Sequence, residues 1–187
     1  MFDLITNYLY MYHTGQFVIL PSYPDSITDT LAVNFNSENP MLRSAPIFSY
    51  SNSGPTTIDV TLTLQRDLMS SINIGKSNLV MEIGEDYVDT IIKQLQSIAL
   101  PRYASDSKMV DPPIVAVRFG NEIFIKGVVT GSISTRFEKP IIKGDKYEMV
   151  TISFTVSEIT PYDALSVQQN GLMRGLNTSL ERKIYRS

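Results

Sequence analysis

"TIDVTLTL", residues 57–64, alternates without a fault. Successive side chains of an extended chain point to opposite faces. Ile58, Val60, Leu62 and Leu64 therefore share one side, and Thr57, Asp59, Thr61 and Thr63 share the other. β-Branched polar residues on the second side suit the wet face of an antiparallel sheet whose other face lies on a core.

The same pattern returns near the end of the chain. In residues 147–159, Val150, Ile152, Phe154 and Val156 alternate with Thr151, Ser153, Thr155 and Ser157. Between the two lies "PPIVAVRFGNEIFIKGVVTGSISTRF", residues 112–137, which reads as strand, turn, strand. Residues 114–119 are the first strand. Gly120 takes the first central position of a type II′ turn. Residues 123–129 return, and 133–137 continue after Gly131. A further turn is expected at Gly144 and Asp145. Upstream, residues 17–20, 31–35 and 47–50 read as short strands, with loops at "NSENP" (36–40) and "SNSGP" (51–55). Residues 65–83 carry no sustained period.

One helix is expected, over residues 85–100. Val88, Ile91, Ile92, Leu95, Ile98 and Ala99 fall on one face of a 3.6-residue period. Glu85 and Asp86 complement the dipole at its start, and Pro101 stops it. Sequential hairpins imply antiparallel pairing, and a single helix cannot cover both faces of such a sheet. The expected fold is therefore mainly β with one flanking helix (α+β), its sheet closed into a barrel or sandwich. Three parts are expected: an N-terminal aromatic arm at 1–20, a β domain at 21–160, and a C-terminal extension at 161–187. The expected core is Ile58, Val60, Leu62, Ile91, Leu95, Val150, Ile152, Phe154 and Val156.

Reactive groups are scarce. The chain has 187 residues, no Cys and one His, His13. Thiolate zinc sites, a Cys nucleophile and disulfides are excluded together, and a multi-His metal site or a His-based triad has little to draw on. Glu82, Glu85 and Asp86 read as a solvated helix start rather than a paired acid and base. No phosphate loop, dinucleotide fingerprint or HExxH motif occurs. No catalytic residue, metal or cofactor is expected. The net charge of −3 argues against a general nucleic-acid binder, and no apolar run is long enough to cross a membrane. The N-terminus has no basic region and no small-residue cleavage site, so a signal peptide is not expected.

Two features point outward. Phe2, Tyr8, Tyr10 and Tyr12 crowd the N-terminus ahead of the β pattern, and if helical, Leu4, Ile5, Tyr8, Met11 and Tyr12 form one stripe. They either pack on their own domain or dock on a neighbouring subunit; the second reading makes them an assembly arm, dispensable for the fold. Arg182, Lys183 and Arg186 form a basic cluster able to touch an acidic partner, although a solvated face explains them as well.

"PIFSYSNSGPTTIDVTLTLQRDL", the helix, and "DPPIVAVRFGNEIFIKGVVTGSISTRFEKPIIKGDKYEMVTISFTVSEITPYDA" together resemble the tube and hub-adaptor proteins of contractile phage tails and related injection systems. The resemblance covers about residues 48–163 and lies in packing and turn positions. It implies a tail-tube type β domain assembled as rings, taken as hexamers, among tail-tube and baseplate hub or wedge proteins. It implies a virion protein made in the host cytoplasm, without specific nucleic-acid binding or membrane insertion. Members of the adaptor group often carry a C-terminal LysM module; no such module is expected after Ile159, and a cell-wall-binding role is not expected with it. The competing expectation is a β-barrel module that binds a carbohydrate or peptide through Tyr23, Tyr50, Tyr103 or Tyr162.

Overall fold

A computed structural model describes residues 7–12, 14–20, 24–42, 44–67, 86–101, 113–120, 123–142 and 144–159, together with residue 164. The described residues form seven strands and one helix of several turns. The strands are β1 (Asn7–Met11), β2 (Gln16–Ile19), β3 (Ser26–Glu38), β4 (Ile47–Gln65), β5 (Ile114–Phe119), β6 (Ile123–Ile142) and β7 (Lys146–Glu158). The helix, α1, is Tyr87–Ile98.

All seven strands belong to one antiparallel sheet in the order β2-β1-β5-β6-β7-β4-β3. The sheet is open: β2 and β3 are its edges, and no pairing joins them. The expected mainly-β, one-helix class is therefore the observed one, while closure into a barrel is not. β6 runs through both halves of the sheet. Its residues Ile123–Val128 pair with β5, and the stretch from Gly127 to Ile142 pairs with β7.

A single core cluster takes side chains from both halves. Leu9, Met11, Val18, Val115, Val117 and Ile125 come from one side, and Ile58, Val60, Leu62, Leu64, Val150, Ile152, Phe154 and Val156 from the other. Val88, Ile91, Leu95 and Ile98 of α1 complete it. All nine residues of the expected core are buried. Each such side chain removed from water stabilises the fold by roughly 1.5–3 kcal/mol before the entropy of ordering is counted.

Helix α1 starts two residues later than expected, because Asp86 is its N-cap. The Asp86 carboxylate accepts from the Asp89 amide at 2.8 Å. Its N-terminus is tied to the sheet twice. Tyr87 donates its hydroxyl proton to the Ile19 carbonyl at 3.1 Å, and Arg66, at the end of β4, pairs with Asp86 and Asp89.

The N-terminal segment departs most from expectation. Residues 7–11 are neither helical nor an arm outside the β domain. They form β1, paired with β2 on one side and β5 on the other, so the boundary drawn at residue 20 is corrected. Leu9 and Met11 face the main core, while Tyr8 and Tyr10 pack with Ala116 and Phe124 on the opposite face. A strand buried on both faces reads as an unbroken apolar run rather than an alternation, which is why it imitates an amphipathic stripe.

The strand lengths differ too. The loop expected at residues 51–55 lies inside β4. Register shifts between Leu31 and Val33 and between Asn34 and Phe35 absorb the extra β4 residues there, so the Gly-Pro step bends the strand without ending it. A further shift between Thr130 and Ser134 does the same in β6, where Gly131 has a φ of 76°. Gly120, at the expected hairpin turn, has a φ of 61°, and Gly144 and Asp145 are both at positive φ.

Candidate assembly surface

The four strands β6, β7, β4 and β3 form a section of sheet with two contrasting faces. One face is hydroxyl-rich. Thr61 and Ser153 lie 3.3 Å apart, Thr63 and Thr151 3.4 Å, and Thr130 and Ser157 2.9 Å, all between neighbouring strands. The Thr155 hydroxyl donates to the Asp59 carboxylate on the same face. These cross-strand pairs join Thr151, Ser153, Thr155 and Ser157 to their neighbours on one polar face.

The other face is the core side. Past the core it continues as an uncovered apolar stripe. Ile27 of β3 packs against the core, and steps of two residues from it pass Asp29 and reach Leu31, Val33 and Phe35 on the same side. Tyr50 lies directly opposite Phe35, and Phe48 opposite Ser37. The Phe35 and Tyr50 rings meet edge to face with centroids 5.7 Å apart. Phe35 is 57% exposed and Phe48 65%. Met41 and Leu42 at the hairpin tip are fully exposed, and Leu42 sits at a φ of 75°, a region that bulky side chains rarely adopt.

The section also has two long open edges. Among the described residues nothing pairs with the outer side of β3, nor with β6 beyond Val129 on the side away from β7. All of β3 but Ile27 is exposed. It contains neither Pro nor Lys, two of the residues that commonly blunt an edge strand against pairing with another chain, and its charges are Asp29 and Glu38.

An ion-pair cluster fixes the base of this section. Arg66 donates from Nε to the Tyr147 carbonyl at 2.7 Å and from Nη2 to Asp89 at 2.7 Å, and it also pairs with Asp86. Lys146 Nζ reaches Asp89 at 2.6 Å and Asp86 at 3.3 Å. Partial burial pushes the Asp89 carboxyl up, but hydrogen bonds from Arg66 and Lys146 and their charges outweigh it and hold it at about 2. Four charges thus join the end of β4, the start of β7 and the N-terminus of α1. Asp86, which the sequence presents as a solvated dipole partner, is a cap and an ion-pair member.

The residues whose sequence pattern points outward separate into three groups. Tyr8 and Tyr10 are buried in the sheet, and the Lys126 ammonium lies 4.9 Å from the centroid of the Tyr12 ring. Phe2, His13, Glu82, Glu85, Tyr23, Tyr103 and Tyr162 lie outside the described residues, as do Arg182, Lys183 and Arg186. Tyr50 is exposed on the stripe. Among the described residues no group of three or more His, Asp or Glu side chains is placed to hold a metal ion, and no helix is long and apolar enough to cross a membrane. The open edges escape sequence reading because pairing on one side and on both sides leaves the same alternation. The apolar stripe is legible as alternation at Leu31, Val33 and Phe35, but not as exposed.

The chain matches no protein-family model and no curated protein.

Proposed function

We propose that the chain is a structural, non-catalytic component of a contractile phage tail or related injection system, forming a ring that joins tail tube to baseplate hub. The observation that carries this reading is the pair of open edges on one four-stranded section. Neighbouring strands alternate in direction, so β6 and β3 run oppositely. Rotation about an axis preserves strand direction. It therefore brings β3 of one copy antiparallel to β6 of the next, and repeated rotation closes the sheet and removes its edges. The hydroxyl-rich face then lines the channel, and the core, with α1, lies outside it. The sequence resemblance supports the same reading. Its partners are further copies in a hexameric ring and the tube and hub proteins on either side, and its place is the virion.

The test is molar mass by light scattering, for the chain alone and mixed with tube and hub proteins. A ring mass, or a stoichiometric complex with those proteins, is expected. A strict monomer that ignores all of them would sink the reading. The exposed Tyr50 is also what a glycan- or peptide-binding module would use, so a monomer that retains a sugar or peptide ligand would favour that class.

A further inference from the structure

The two open edges are displaced from each other along the strand direction, and this fixes how copies meet. Thr28, Asp59, Thr155 and Thr130 face one another in turn across β3, β4, β7 and β6, and so mark one level of the section. Ser26, Thr61, Ser153 and Ser134 mark the next. From Thr28 the β3 edge runs on to Glu38 in one direction. From Thr130 the β6 edge runs on to Ile142 in the opposite direction. If copies met with their levels aligned, only the short overlap near Ser26–Thr28 and Thr130–Ser134 would pair.

We infer that β3 of one copy pairs with β6 of the next after a slide along the strands, so that the strands of the ring are steeply tilted to its axis. This rests on the ring reading proposed above. Four strands of about 4.8 Å each make one copy roughly 19 Å wide across the strands. Closed barrels tilt their strands by about 35–45°. At the upper end of that range the slide equals the width, roughly 19 Å, or about six residues at ~3.3 Å each. An even slide is required, because an odd one would set the hydroxyl face of one copy beside the apolar face of the next. Counted on the levels of β7, a slide of about six residues sets Thr28 opposite Glu138 and Thr30 opposite Arg136 of the neighbouring copy. All four positions lie on the hydroxyl-rich face by strand parity. The antiparallel ladder then runs along β3 from Thr28 to Asn34, while the tip with Phe35, Phe48, Met41 and Leu42 stands clear of the ladder.

Engineered disulfides test this against a background free of cysteine. Within one copy β3 and β6 are separated by two strands, about 14 Å, beyond disulfide reach, so any bond reports a neighbour. Three double variants are compared under mild oxidation: Thr28→Cys with Glu138→Cys, Thr30→Cys with Arg136→Cys, and Thr28→Cys with Thr130→Cys. The first two represent the slid pairing and the third the level one. Circular dichroism verifies each fold, and light scattering on the unoxidised samples reports whether rings form. Covalent ladders up to the ring number in either slid variant, with none in the level variant, are expected. Rings that cross-link at the level pair, or at none of the three, overturn the slid pairing and leave the ring reading standing. Folded variants and parent chain that stay monomeric, alone and mixed with tube and hub proteins, overturn both.

Discussion

One strand, β4, passes through two environments. In its second half Ile58, Val60, Leu62 and Leu64 are each no more than 2% exposed, while in its first half Ile47, Phe48 and Tyr50 are 45–65% exposed. Both halves carry apolar side chains and both pair with β3. The difference lies in what else reaches them. The second half also pairs with β7 and lies in the core cluster with α1 and both halves of the sheet, whereas the first half projects past the end of β7. The contrast separates residues that hold the monomer together from apolar residues that the fold leaves exposed.

The contrast can be broken most severely at the N-terminus. Sequence pattern alone suggests that residues 1–14 can be removed without harm to the fold. Because β1 lies between β2 and β5 and buries Tyr8, Leu9 and Met11 completely, their deletion is instead expected to unfold the monomer. A thermal melt followed by circular dichroism checks this, and an unchanged transition would return the segment to the role of an arm.

Next in size is a pair of substitutions on the same side of the sheet. Phe154→Ala, in the core, is expected to cost about 3–5 kcal/mol in urea unfolding. Phe35→Ala, on the projecting stripe, is expected to stay within about 0.5 kcal/mol of the parent. Equal losses would erase the distinction drawn along β4.

A smaller effect comes from the charge cluster. The Asp89 carboxyl lies at about 2 in the folded chain against 3.8 for its ordinary value. A lowered folded value means stability that is fully present above pH 3.8 and lost as pH falls toward 2. Allowing for its partial exposure, the loss is on the order of 1–2 kcal/mol. Asp89→Asn should flatten the stability profile in that window, and an unchanged slope would show that Asp89 is not the titrating group.

The smallest stability effect sharpens the contrast most. Phe35→Ser with Tyr50→Ser should leave the monomer within about 0.5 kcal/mol of the parent, as exposed substitutions do. It should weaken association with tail partners, measured by co-sedimentation. Undiminished association would mean the stripe serves no contact.

Much of this is legible in the sequence, for a physical reason. The core residues of β4 and β7 stand on strands with one buried face, where alternation records burial directly. The face of α1 is legible through its 3.6-residue period. β1 is easily misread because burial on both faces erases alternation. The length of β4 is hidden because "SNSGP" carries loop chemistry that bulges absorb. For the candidate surface, the Thr/Ser face is visible residue by residue. The open edges are not, since nothing in a strand's own sequence records which neighbour it lacks. The stripe is visible as apolar but not as uncovered, because exposure of Phe48 depends on where β7 stops.

The central claim is that copies of this chain close a ring through the edges of β3 and β6. Electron microscopy of the purified chain, alone and with tube and hub proteins, tests it most directly. The account expects closed rings with a central channel, six copies around, and strands tilted steeply to the channel axis. Single particles of one-copy size under every mixture, or rings whose contacts leave both β3 and β6 edges free, would contradict it.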